Sequence, residues 1–511
     1  MYNIFFLKYI YLFILGALTA FSLPPYNYFI INFFSLSFLF IFLFNKKDIY
    51  SKKTFFLLGW FFGFGFFFTS LYWVAISLTF DKDLKFLIPF SILLVPAFLA
   101  IFYGLITYFF KVYNSKKILN CFLFFSVIFG LVEMIRGYIL TGFPWNLISY
   151  SFSSSLNFIQ ILSILGTYSF NLFCISLFTC PGIFFLKRGK KEIIFCFSIF
   201  IIAGTFLFYG FAKNKKFDSI EVKKNDYVIR AISSNISLER FYSKHNELEI
   251  IDELISLSKP NLSQPTIFLW PEGIVTDTSH EDIKVYEDLF IKNFNDNHLV
   301  IMGINTSNDE KTEYYNSLVV YDNHLNLVDK YNKIKLVPFG EFLPFENILK
   351  KVGLKTITNN YQSYSAGIKK NILNLKDDNF DLKLLPLICY EIIYSGEIFE
   401  NNNFDFIINI SEDGWFGNSI GPEQHFAHTI FRAIENGKYI IRSANNGISA
   451  IINPVGVIEK QIEYGKSGLI DLTENKVMEK VHFLKYGNKI FVFIILLYIF
   501  LLFSFNRFKN D

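Results

Sequence analysis

LLPLICYE, residues 384–391, carries an apolar run straight into a cysteine, a tyrosine and a glutamate. A short apolar run bounded by polar residues reads as a buried strand. In layered α/β domains the ends of such strands are where side chains reach a shared crevice. Similar runs lie on either side: YVIRAISSN (227–235), TIFLWPE (266–272), HLVIMGIN (298–305), YNSLVVYD (315–322), FDFIINIS (404–411), YIIRSAN (439–445) and ISAIIN (448–453). Helical periodicity appears between them near 242–258, 281–294 and 423–436. Strands alternating with helices predict an α/β layered domain over residues 212–487. Within it, 350–380 has no clear period and reads as a loop or lid.

The sequence around this domain is of another kind. Of 511 residues, 52% are hydrophobic, 66 of them Phe, and 18% are charged, against about 25% charged in soluble domains. That balance excludes a single soluble enzyme and a disordered chain. The net charge of +4 is small and scattered, so no nucleic-acid partner is expected. Apolar runs near 4–22, 26–44, 55–78, 86–110, 119–140, 160–186, 192–211 and 488–506 mostly reach the ~20 residues that cross a bilayer as helix. About eight spans are expected: seven over 1–211 and one in 488–511, which ends in a short cytoplasmic tail. The first run offers a small-x-small pair at Ala20 and Ser22, but Lys8 is its sole basic residue and further spans follow at once, so it is expected to be retained.

Basic residues orient the spans. With the N-terminus in the cytoplasm, the inside segments hold Lys46, Lys47, Lys52, Lys53, Lys111, Lys116, Lys117, Lys187, Arg188, Lys190, Lys191, Arg507 and Lys509, and the short outside loops only Lys82 and Lys85. Lys213, Lys215 and Lys216 lie outside, but they flank a large domain, where the rule weakens. Residues 212–487 are then expected on the periplasmic face of a bacterial inner membrane.

Three polar residues beside apolar strands form a coherent nucleophile set. Glu272 ends IFLWPE, Cys389 ends LLPLIC, and Lys333 lies in YNKIKLVPFGE, eight residues before Glu341. A thiol needs a base to take its proton, and an ammonium stabilises negative charge on sulfur or on a tetrahedral oxyanion. Spacing alone equally allows a buried inert thiol, a rim carboxylate and a surface lysine. Cys121, Cys174, Cys180 and Cys196 lie in apolar stretches without zinc-like or disulfide-framework spacing. His425 and His428, with Glu423 nearby, lack a third ligand at a recognised spacing, so no metal is expected.

The motifs WPEG (270–273), YNKIKLVPFGEFLP (331–344), ICYE (388–391), SEDGWFG (411–417), GPEQH (421–425) and RAIENGKYIIRSANNGIS (432–449) resemble the nitrilase, or carbon–nitrogen hydrolase, superfamily. Joined to the spans, and to GALTAFSLPPY (16–26) and LVEMIRGYILTGFPWN (131–146), the chain is similar to the membrane-bound apolipoprotein N-acyltransferase branch over nearly its whole length. The resemblance implies a polytopic α-helical membrane domain plus an α-β-β-α sandwich. It implies Glu272 as general base, Lys333 as oxyanion and thiolate partner, and Cys389 as nucleophile. Glu341 and Glu391 would support them, with Tyr390, Asn316 and Trp415 lining the site. The implied donor is a membrane phospholipid, the acceptor a diacylated apolipoprotein, and no cofactor is implied. Two alternatives stand beside it: a membrane-anchored amidase using the same residues, and a transporter or receptor with an external binding domain.

Three features depart from the family pattern. SSNIS (233–237) keeps Asn235 but neither of two expected glutamines, a Lys-Trp pair that often follows is absent, and Glu412 stands where a small or amide residue is expected. In the membrane half, Glu133 and Arg136 are expected either to anchor a headgroup or the catalytic domain, or to form a local i, i+3 pair. Trp145 in GFPWN is expected at the interface or against acyl chains. Trp415 and Phe416, between Gly414 and Gly417, form either a mobile lid or a packed turn.

Overall fold

A computed structural model describes residues 2–242, 245–349, 351, 363–397 and 403–507. The N-terminal part is helical: α1 Tyr2–Ala20, α2 Ile30–Lys46, α3 Lys52–Ser70, α4 Ile88–Val112, α5 Ile118–Arg136, the short α6 Leu156–Ile159, α7 Leu162–Leu186 and α8 Lys190–Asp218. Among the described residues, five helical stretches are long and apolar enough to cross a membrane: 52–70, 85–112, 118–136, 162–186 and 190–218. The shorter apolar helices 6–20, 30–46 and 489–505 fall where the other three spans are expected. Phe197, Phe208 and Ile194 of α8 face outward, as a lipid-facing surface requires.

Within the bundle, α1 and α3 touch backbone to backbone. A Cβ on Gly16 would lie 1.9 Å from the Phe62 carbonyl oxygen, and one on Gly65 would lie 2.0 Å from that of Phe13. In lipid, where no hydrophobic force drives helices together, such small residues permit the close packing that holds them. The expected 55–78 span stops at Ser70. The chain continues as a 3-10 segment, Tyr72–Thr79, whose Trp73 indole N–H donates to Ser70 and to Gln424 of the C-terminal part. The expected 119–140 span likewise stops at Arg136, whose guanidinium donates to the Phe143 carbonyl of the loop beyond.

The C-terminal part contains β1 Lys223–Ser233, α9 Glu247–Ser258, β2 Thr266–Leu269, α10 Glu287–Asn293, β3 His298–Ser307, β4 Tyr314–Tyr321 and β5 Leu327–Asn332. It continues with α11 Glu346–Leu349, β6 Leu373–Lys376, β7 Asp381–Ile388, β8 Phe406–Glu412, α12 Gly421–Asn436, β9 Ile440–Asn445, β10 Ser449–Ile452, β11 Ile458–Ile462 and β12 Gly468–Asn475. The chain then passes through α13 His482–Tyr486 into α14 Lys489–Arg507.

The strands form two six-stranded sheets, ordered β12-β1-β2-β3-β4-β5 and β11-β10-β9-β8-β7-β6. Within them β1, β2 and β3 run parallel, as do β7, β8 and β9. Their facing sides share one core, in which Ile229, Ile267 and Ile301 meet Leu384, Ile408 and Ile441. The outer face of the first sheet packs on α9 and α10 through Phe268, Leu254 and Phe290. The outer face of the second packs on α12 in a core continuous with the membrane helices. The expected α-β-β-α sandwich is therefore present, with the bundle beneath one helical layer.

Two helix expectations shift. The helix expected from 242 starts at Glu247, and the one expected over 281–294 splits into a 3-10 turn, Ile283–Tyr286, followed by α10. Of the 350–380 stretch, 350 and 352–362 lie outside the described residues, and β6 occupies 373–376.

Candidate active site

Cys389 immediately follows β7, Lys333 immediately follows β5, and Glu272 lies three residues beyond β2. The carboxyl ends of the parallel strands point to one crevice, which gathers residues remote in sequence. Gly303 on β3 permits the approach: a Cβ there would lie 2.7 Å from the Glu272 Cα. Cys389 sits at φ +47°, a left-handed conformation costing a non-glycine residue about 1–2 kcal/mol. Such strain persists only when the surroundings over-determine it, and it is typical of functional turns.

The Lys333 ammonium is buried and donates to Glu272 Oε1 at 3.1 Å and Glu341 Oε1 at 2.9 Å. The Asn316 amide bridges the same two oxygens, at 2.7 Å each. The second Glu272 oxygen accepts from the Glu412 backbone N–H at 3.0 Å, and the second Glu341 oxygen from the Val337 N–H at 2.8 Å. Burial alone pushes the Lys333 ammonium down, but Glu272 and Glu341 outweigh it and hold it well above its ordinary value. Burial pushes the Cys389 thiol well up, Glu272 adds to the rise, and Lys333 opposes it. Burial also raises Glu341 against the pull of Lys333. At neutral pH the sulfur therefore rests as a thiol, in the electrostatic reach of a charged lysine and of Glu272.

Glu391 is a scaffold for this geometry. It accepts from the Tyr331 hydroxyl at 2.7 Å and from the N–H groups of Ile334 (2.9 Å), Lys335 (3.2 Å) and Ile388 (2.9 Å). One carboxylate thereby ties the Lys333 loop to the strand preceding Cys389. The Tyr390 hydroxyl points away from the sulfur, donating at 2.9 Å to the Gly142 carbonyl in the loop after α5. Trp415 packs on Phe241 and on Phe80, at ring-centre distances of 5.0 and 6.1 Å, where the two halves of the molecule meet. Glu412 turns its carboxylate to Arg240 and to Asn445 (2.7 Å), so the unexpected acid is neutralised and presents only its backbone N–H to Glu272. Asn445 also receives the Ile236 N–H at 2.8 Å, which fixes the departing SSNIS loop.

The membrane-side residues land in buried positions. Glu133 and Arg136 form the local i, i+3 pair at 3.0 Å, each only 1% exposed, packed inside the bundle. Trp145 is also buried. Its indole donates to Gln424 Oε1 at 2.9 Å and its ring stacks on His425, because α12 covers it. Glu423 is exposed while His425 and His428 are buried, so these three do not converge on a cation. A different trio, Cys389, Asp413 and His425, has donor atoms within 4.8 Å of one another. Arg442 already pairs with Asp413 at 2.7 Å and supplies the positive charge there.

Sequence reasoning missed Arg240, Asp413 and Arg442. The visible signal for the last is an arginine inside the apolar run YIIRSAN. It is completely buried, and buried charges are paired.

A thiol, a lysine and a carboxylate at the strand ends of two facing sheets define a carbon–nitrogen hydrolase-type domain, here carried on a helical bundle. Residues 289–473 match the family model for carbon-nitrogen hydrolase, and residues 15–180 match that for the apolipoprotein N-acyltransferase N-terminal domain. An apolipoprotein N-acyltransferase of Rhizobium rhizogenes is 32% identical, covering 90% of this chain and 88% of its own. That of Rickettsia prowazekii is also 32% identical, covering 93% and 94%. The chain belongs to the apolipoprotein N-acyltransferase family. Among solved structures, an amidase from Nesterenkonia sp. AN1 is similar at a TM-score of 0.35 and 14% identity, over 50% of this chain and 92% of its own. Nit3 of Saccharomyces cerevisiae is similar at 0.35 and 14%, over 49% and 90%.

Proposed function

We propose that this chain moves an acyl group from a membrane phospholipid, through a thioester on Cys389, to the N-terminal amine of a diacylglyceryl-cysteine lipoprotein. The observation that carries the proposal is the buried Glu272–Lys333–Glu341 cluster beside Cys389 in its left-handed turn, in a chain of this family. Glu272 takes the thiol proton as sulfur attacks the ester carbonyl. Lys333 stabilises the oxyanion, the C–O bond breaks, and the lysophospholipid alcohol leaves with the proton. The amine then attacks the thioester, its proton passes to Glu272, and the S–C bond breaks to restore the thiol. A free α-amino group, with a pKa of about 7.7–8.0, is partly neutral at neutral pH and suits the second step. Glu341 and Asn316 hold Glu272 and Lys333 in register, Glu391 holds the loop, and Tyr390 and Trp415 border the site.

In this proposal residues 1–211 form the seven-span membrane domain, 212–487 the periplasmic catalytic domain, and 488–511 the last span and tail, in a bacterial inner membrane. The asymmetry of basic residues supports that orientation. Both substrates carry acyl chains, and drawing each buried CH₂ into water costs about 0.8 kcal/mol, so a site at the bilayer surface avoids a large penalty.

Intact-mass measurement after exposure to phospholipid vesicles tests the proposal. Wild type should gain one acyl mass on the peptide containing Cys389, removable by hydroxylamine, and Cys389→Ala should gain none. An unmodified Cys389 peptide during turnover refutes it.

A further inference from the structure

Beside the nucleophile lies a buried polar cluster that the chemistry above leaves unused. The His425 ring is completely buried between Trp145, stacked at 5.3 Å, and Phe416, edge-on at 5.4 Å. Its Nε2 lies 3.2 Å from the backbone carbonyl oxygen of Cys389. Its Nδ1 lies 3.1 Å from Arg442 Nη2 and 2.9 Å from Asp413 Oδ1. Asp413 is bound in turn, with Oδ2 accepting from Arg442 at 2.7 Å and Oδ1 from the Ser411 hydroxyl at 2.6 Å.

We propose that His425 is a positioning residue for the nucleophile: Asp413 and Arg442 hold its ring, and its Nε2–H holds the Cys389 carbonyl so that the residue stays in its left-handed turn. The proton on Nε2 follows from its neighbour: that nitrogen faces a carbonyl that can only accept, whereas Nδ1 is shared between the Asp413 carboxylate and the Arg442 guanidinium. Burial lowers the His425 pKa against the pull of Asp413, in keeping with a neutral ring. The ring meets no substrate, since it is closed off by Trp145 of the membrane half. It acts through the backbone of Cys389, next to the Ile388 N–H held by Glu391. Residues far apart in the chain (Trp145, Asp413, His425, Arg442) are thereby spent on one φ angle. A nucleophile displaced by even a fraction of an ångström loses its attack geometry.

The inference rests on the thioester proposal, and its test separates the two. Single-turnover acylation of the full-length enzyme by phospholipid vesicles is followed by intact mass. His425→Leu removes the donor and should slow acylation by about tenfold or more, about 1.4 kcal/mol on the barrier. Glutamine places an amide N–H as many bonds from Cβ as Nε2, so His425→Gln should stay within about threefold of wild type by the same measure. Asparagine matches only the Nδ1 position, so His425→Asn should behave like the leucine variant. If the leucine variant does not fold, the glutamine–asparagine comparison decides. Equal rates in those two, or wild-type speed in His425→Leu, overturn the positioning role. Absence of any adduct on wild-type Cys389 overturns the thioester itself.

Discussion

Replacing Lys333 with methionine keeps the length of the stem and removes the charge. Two carboxylates then face each other with only the Asn316 amide between them, and both are more than nine-tenths buried. At an effective dielectric of about 20, each lysine–carboxylate contact near 3 Å is worth about 5–6 kcal/mol of Coulomb energy. Desolvation of all three groups offsets most of this, and removing one partner from a buried pair has a typical net cost of about 3–5 kcal/mol. For a domain of this size that is a fall of about 6–20 °C in melting temperature. The sign with pH is fixed. Without the lysine, a carboxylate of the pair has its folded pKa raised further above the ordinary value. The deficit is therefore fully present above that raised value and shrinks as pH falls toward about 4.3. In wild type the lysine contribution shrinks on the acid side as Glu341 takes up a proton, and on the alkaline side it is lost only as pH climbs through the raised lysine pKa. Fluorimetric melting of both proteins in detergent from pH 5 to 9, alongside the acylation assay, reads this directly. A Lys333→Met protein that melts with wild type at pH 8, or that still forms the thioester, would falsify the electrostatic account of the site.

Further outcomes can be checked the same way. Glu272→Gln should abolish the acyl adduct, having no base, whereas Glu391→Gln should slow adduct formation by about tenfold, because an amide satisfies only part of its four-donor set; full-speed acylation in Glu272→Gln would mean another base. The acylation rate should fall on acidification as Glu341, raised by burial, takes up a proton and loosens its hold on Lys333. It should show no second rise near about 8.5, where a free thiol ionises; a tenfold rise centred there would mean the thiolate preforms. Tyr390→Phe removes the hydroxyl that grips Gly142 and should cost about 1–2 kcal/mol, seen as a lowered melting temperature, while a stabilised variant would contradict the contact.

The layered domain was legible because its central strands are buried on both faces and so read as unbroken apolar runs: TIFL, LLPLI and FIINI all fall inside β2, β7 and β8. The edge strands were not legible. β11, whose first four residues are exposed, reads IEKQI, and β5 reads LVDKYN, so neither shows a buried-strand pattern. Glu272, Lys333 and Cys389 were singled out because motifs flank them, although nothing in their spacing says that β2, β5 and β7 end close to one another. Trp145 was misread for a related reason, whereas the i, i+3 pairing of Glu133 with Arg136 was one of the two readings its spacing allowed. Periodicity and interfacial preference treat Trp145 as meeting lipid, whereas it meets Gln424 and His425 from sequence nearly three hundred residues later. Arg442 left a trace, a charge inside an apolar strand, but Asp413 and Arg240 lie in 3-10 turns where charge is ordinary, and their pairings with Arg442 and Glu412 show only in the fold.

Helix α12 has cover on both sides, a sheet above and the bundle below, with Phe431 packed on Tyr150 and Gln424 held by two indoles. A secreted fragment comprising the hydrolase-like half alone would enter solution with Phe426, Ile430 and Phe431 stripped of that cover, and would be prone to clump. Chimaeras assembled from two relatives should therefore work best when α12 travels together with the loops at 72–79 and 141–150, its counterparts across the seam.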